Sequence, residues 1–155
     1  MESSSVHNEL RVLINRFFAA VSFEKGQHPH YGQIHDLFME RGLLIRNSAA
    51  GAEISSVDEF IAPREAMVRA GELTQFREAE LSEINEVFGN VAHRFGAYTK
   101  SGIMNGVPFE ARGVISTQFI HTSEGWRISC MAWDDERTGL SIPVRYQPQK
   151  GSGHE

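Results

Sequence analysis

A single cysteine, Cys130, excludes any disulfide within this 155-residue chain. It sits in an apolar run with no cationic neighbour in its local sequence to lower its pKa, so it reads as a buried structural thiol, and the lack of a pairing partner fits a reducing compartment. No apolar run approaches the ~20 residues that cross a bilayer, and the opening Met1-Glu-Ser-Ser-Ser5 lacks the basic and apolar parts of a signal peptide. A soluble, cytoplasmic protein without membrane contact is expected. Basic residues are outnumbered, 15 Lys and Arg against 20 Asp and Glu, and no basic stripe follows a phosphate backbone, so nucleic acid is not an expected partner.

Motifs of several chemistries are also missing. The chain has no Gly-rich loop between strand and helix, no Walker sequence and no G-x-S-x-G elbow, which disfavours nucleotide and acyl-enzyme chemistry. The 7 histidines include none at zinc-finger or zincin spacing, and no metal or other cofactor is expected.

What the chain does carry is clear periodicity. Leu10, Leu13, Ile14, Phe17, Phe18 and Val21 recur at helical spacing, with the serines at 3 to 5 as N-cap candidates and Gly26 as an exit. Tyr31, Ile34, Leu37 and Phe38 suggest a second, shorter helix closed by Gly42, followed by a brief strand at 43–46. Ser56 and Glu59 have capping-box spacing for a third helix, which Pro63 should kink or restart before Gly71.

From Leu73 the period is that of strands. Within 76–87 the parity shifts between Leu81 and Ile84, which predicts a β-bulge near Ser82. Gly89-Asn90 turns the chain into a strand at 91–99, a glycine-rich loop covers 101–108, and 109–136 folds as a hairpin about Ser123-Glu124-Gly125. Strict alternation in the last strand places Trp126, Ile128, Cys130 and Ala132 on one face and Arg127, Ser129, Met131 and Trp133 on the other. Helices segregated from a long antiparallel meander define an α+β class, one domain over 1–142 with a flexible tail over 143–155.

The element order, with Phe17-Phe18, the Val91-Ala-His-Arg-Phe strand and the Arg112-Gly113 to Trp133 hairpin, resembles the nuclear transport factor 2-like superfamily, the cystatin-like cone of SnoaL-like polyketide cyclases and ketosteroid isomerase. The resemblance, over about residues 6–137, implies a bent antiparallel sheet wrapped around three N-terminal helices, an internal pocket, and a homodimer through the outer sheet face. In that dimer Met131 and Trp133 are the expected contact residues. The implied activity is cofactor-free isomerase, dehydratase or cyclase chemistry on a small apolar carbonyl compound; the alternative is a non-catalytic dimeric domain for a ligand or a protein partner.

Such a pocket works by shifting a carboxylate or imidazole toward neutrality. His93, between Val91 and Phe95 on one strand face, is a candidate for proton exchange, though the commoner reading of the same pattern is a core histidine satisfied by a backbone carbonyl. Asp36 and Asp134, or Asp135 beside it, are the candidate acids; a solvated helix surface explains Asp36 equally well, and acidic residues at a strand end are usually just solvated. Tyr31 and His35, four apart on one helical face, join Phe95, Tyr98 and Trp133 as candidate ligand contacts. His93 and Tyr98 have opposite parity, so alternation lets only one of them point inward.

Overall fold

The computed structural model describes residues 2–147; the expected tail beyond that, 148–155, lies outside the described residues. Helix α1, Glu2–Val21, forms where the apolar stripe runs, and Leu10, Ile14, Phe17 and Val21 are buried on it. The serines at 3 to 5 lie within α1. After α1, Phe23 makes an antiparallel bridge to Phe76, and Gly26, at φ +87°, turns the chain.

The expected second helix is a 3-10 turn, Tyr31–Asp36, that ends well before Gly42. Strand β1, Phe38–Ser48, has already begun by then. Gly42 lies in an irregular stretch of β1, where a Cβ would overlap the Phe38 ring and come within 3.1 Å of the Met39 and Ile128 carbonyls. Strand β2, Gly51–Ser56, gives little sequence signal because its one large apolar residue, Ile54, is exposed. Helix α2, Val57–Arg69, opens with the full capping box: the Glu59 N–H donates to Ser56 Oγ at 3.1 Å and the Ser56 N–H to Glu59 Oε1 at 2.9 Å. It runs through Pro63 without a restart.

Strands β3 (Leu73–Phe88), β4 (Val91–Met104), β5 (Val107–Thr122) and β6 (Gly125–Asp135) complete a six-stranded sheet in the order β2-β1-β6-β5-β4-β3. β1 and β6 pair in parallel, and the other neighbouring strands pair antiparallel. The curved, unclosed sheet wraps the helices as an α+β cone. The expected bulge is present with Leu81 as the extra residue, since Glu80 pairs with Tyr98 and Ser82 with Ala97.

Two expectations are corrected. Residues 101–108 are no loop: β4 continues to Met104, and Asn105 and Gly106, at φ +52° and +79°, make the two-residue turn that positive φ values favour. A further bulge at Ser129 breaks the alternation of β6, because Phe119 pairs with Ile128 and Gln118 with Cys130. Met131 and Trp133 therefore join Trp126 and Ile128 on the inner face, Met131 fully buried and Trp133 edge-on to Phe60 at 6.0 Å. They face the helices, not a second subunit; Cys130 and Ala132 take the outer face, where burial raises the Cys130 thiol pKa. Residues 143–147 of the assigned tail include a 3-10 turn, Val144–Tyr146, whose Tyr146 ring packs edge-on against Phe95 at 5.1 Å.

Candidate functional site

The bend of the sheet leaves a cavity of about 230 Å³ between its inner face, α2 and the end of α1. Phe17 and Val21 of α1, Phe60 and Met67 of α2, and Ile115 and Trp133 of the sheet give it an apolar wall. Phe60 anchors that wall, with ring centroids 6.1 Å from Phe17 and 6.0 Å from Trp133. Phe109 lies over Gly102, where a Cβ would come within 2.7 Å of its ring, so the bare glycine lets the aromatic fold down over the pocket.

A few ionisable groups enter this wall. Glu78 of β3 stands directly opposite Lys100 of β4, and both line the cavity. Lys100 Nζ lies 3.1 Å from Asp135, while no side chain among the described residues pairs with the Glu78 carboxylate. Desolvation pushes Glu78 from the ordinary 4.5 up to about 7; Lys100 and Arg64 oppose the rise and Asp135 adds to it. Near neutral pH this carboxyl exchanges its proton readily, the condition for a general acid or base. Arg46, paired with Glu53 at 3.5 Å, is half-exposed, while Arg64 lies over the Phe60 ring.

Beneath Lys100 runs a partly buried polar link. Tyr98, Gly113 and Asp135 are neighbours across β4, β5 and β6, and the Tyr98 hydroxyl donates to Asp135 Oδ1. Burial and then that hydrogen bond hold the phenol far above its ordinary range, so Tyr98 remains protonated. Asp135 in turn accepts from Tyr98 and holds Lys100 in place.

The candidates read from sequence fall in three places. Tyr31 and Trp133 line the cavity, and Tyr98 lies just beneath it. His93 and Phe95 are on the outer face: even-numbered residues of β4 point inward, and His93 is exposed beside Glu86 at 2.8 Å instead of lying among apolar side chains. Asp36 is exposed on the 3-10 turn, and His35 pairs with Asp58 at 3.2 Å, because a period of three puts Ile34 rather than His35 on the face of Tyr31. Asp134 pairs with Arg137 at 2.5 Å; the bulge at Ser129 turns Asp135 inward in its stead.

Glu78, Lys100 and Arg64 were missed. Each carried a signal: Glu78 shares parity with Phe76, Lys100 shares parity with Tyr98, and Arg64 follows Phe60 by four and precedes Met67 by three on the inward face of α2. Among the described residues no three His, Cys, Asp or Glu side chains gather as a metal site, and no helix is long and apolar enough to cross a membrane.

The cone is that of the nuclear transport factor 2-like, cystatin-like fold. Solved structures share it across nearly the whole chain. A nuclear transport factor 2-like superfamily protein from Salmonella enterica superposes with a TM-score of 0.72 at 17% identity, covering 92% of this chain and 99% of that one. A putative Ca/calmodulin-dependent kinase II association domain from Exiguobacterium sibiricum gives 0.68 at 16%, covering 88% and 98%. The hexachlorocyclohexane dehydrochlorinase LinA-type3 from Novosphingobium barchaimii gives 0.69 at 11%, covering 87% and 89%. At these identities the likeness is one of fold alone. No family model matches the sequence, and no curated protein does.

Proposed function

We propose that the chain binds a small, largely apolar carbonyl compound in this cavity and exchanges a proton with it through Glu78. The observation that carries the reading is an unpaired carboxyl in an apolar pocket, directly across the strands from an ammonium group. In the step this supports, the Glu78 carboxylate takes a proton from a carbon next to the carbonyl. The C–H electron pair moves onto the carbonyl oxygen, and the enolate accepts a hydrogen bond from Lys100, held from below by Asp135. Return of the proton to a different carbon gives an isomer without oxidant or cofactor.

The test is deuterium uptake from D2O into a panel of small enones and ketones, followed by NMR. Wild type should accelerate exchange, and Glu78→Gln should lose roughly 10²–10⁴-fold of that acceleration. Equal exchange by both proteins would remove Glu78 from the role. The alternative is a binding domain without turnover, supported by Lys100 being engaged already by Asp135 at 3.1 Å. Ligand binding with no exchange on any compound would select it.

We further infer that a second copy pairs through the outer sheet face, as the resemblance implies. One row across all six strands, Ile54, Ile45, Ala132, Ser116, Phe95 and Ile84, carries no charge. Light scattering should give a dimer for wild type and a monomer for the double variant Ile54→Glu/Ile84→Glu; a monomeric wild type would rule the dimer out.

A further inference from the structure

We propose that the compound this pocket takes is a carboxylate, its anionic group held by Arg64. The inference rests on the reading of the cavity as a ligand pocket and adds the chemical class of the ligand. Arg64 projects from α2 on the face that carries Phe60 and Met67 into the cavity. Its guanidinium carbon lies 3.7 Å from the Phe60 ring centroid, and Nη1 donates to the Phe60 carbonyl at 2.9 Å. These two contacts fix the guanidinium plane and leave Nε and Nη2 without a hydrogen-bond partner among the described residues.

The other arginines that meet the inner face differ. Arg94 is bound bidentately by Glu80 at 2.9 and 2.6 Å, and Arg46 pairs with Glu53. No carboxylate among the described residues pairs with Arg64. Burial disfavours its charged form; the Tyr31, Glu53 and Glu78 side chains oppose that effect from beyond pairing distance, and Arg46 adds to it. A partly desolvated, pre-oriented fork of N–H donors with no anion of its own matches a carboxylate bidentately. The neighbouring charge balance favours this match, because Lys100 is neutralised by Asp135 and Glu78 is partly protonated near neutral pH. Tyr31 lines the same cavity and offers a hydroxyl donor beside the guanidinium. The volume, about 230 Å³, is below the roughly 300–1,000 Å³ of pockets for drug-sized ligands, which limits the partner to one ring or a short chain.

The chain holds two tryptophans, and they make the test decisive. Trp133 lines the cavity, whereas Trp126 packs on His121 at 5.1 Å and serves as an internal control for the indole N–H signals in NMR. Phenylacetate and hexanoate, with phenylacetamide and hexanamide as neutral counterparts, are titrated into the full chain. Both acids should move the Trp133 signal and leave Trp126 in place, with dissociation constants at least about tenfold below those of the amides. Arg64→Gln should abolish that preference, and Arg64→Lys should keep part of it; an unshifted Trp126 signal before titration shows that each variant is folded. Amides that move Trp133 as tightly as the acids would overturn the anion assignment while leaving the pocket reading intact. An acid preference that survives Arg64→Gln would overturn the assignment to Arg64. No response of Trp133 to any probe would overturn both.

Discussion

The Tyr98 hydroxyl reaches the Asp135 carboxylate across the bare backbone of Gly113. Three adjacent strands contribute one residue each, and the middle one must lack a side chain, since a Cβ there would overlap both the Tyr98 phenol and the Asp134 carbonyl. Gly113→Ala is therefore expected to cost about 1–3 kcal/mol, the usual range for overpacking. Chemical denaturation measures it; a neutral result would mean that the strands part without penalty.

Glu78 predicts a pH dependence of stability. Its folded-state pKa lies above the ordinary 4.5, at about 7, so below 4.5 the folded and unfolded states are both protonated and stability is full. As pH rises from 4.5 to about 7 the unfolded chain gives up the proton while the folded one retains it, and stability falls through that window. The loss is on the order of 2 kcal/mol, below the full linkage value because the side chain is only partly covered. Glu78→Gln should lack this loss. Urea unfolding of both proteins at the two ends of the window isolates the difference, and parallel pH profiles would contradict the shift.

The ion pair of Arg94 with Glu80 lies deep on the inner face, with Arg94 only 2% exposed. Arg94→Met strands the Glu80 carboxylate and should cost about 3–5 kcal/mol, whereas the double change Arg94→Met/Glu80→Leu should recover most of that. Denaturation midpoints of the single and double variants test it; equal destabilisation of the two would show that shape rather than charge is at stake.

Helix α2 carries Phe60 and Arg64, so its N-terminus bears on the pocket. Ser56→Ala removes the acceptor for the Glu59 N–H and should cost about 1 kcal/mol, while Ser56→Gly should cost only a few tenths. The pair of variants in thermal unfolding separates capping from packing.

Much of the cone was legible because its signals are local. The stripe from Leu10 to Val21, the Ser56 and Glu59 box and the parity shift beside Ser82 each act over a few residues, and each appears in the structure. Strand β2 was silent because its edge position buries nothing large. The site was harder to read because its groups meet only through the bend of the sheet. Glu78 and Lys100 are 22 positions apart in sequence and opposite each other in space, and their parity identifies them only once the extra residue at Leu81 is counted. Alternation alone could not choose between His93 and Tyr98; their even or odd place on β4 decides it, and that requires knowing which face the helices cover.

The single extra residue at Ser129 works as a parity switch for everything after it in β6. Were Ser129 paired as an ordinary residue, regular alternation from Ile128 would send Met131, Trp133 and Asp135 to the convex side, and Asp134 would take the place beneath Lys100. Ser129 thus adds a residue to the strand without taking a place in its alternation: deleting it would leave Met131, Trp133 and Asp135 facing the pocket, whereas pairing it regularly would turn the last strand inside out.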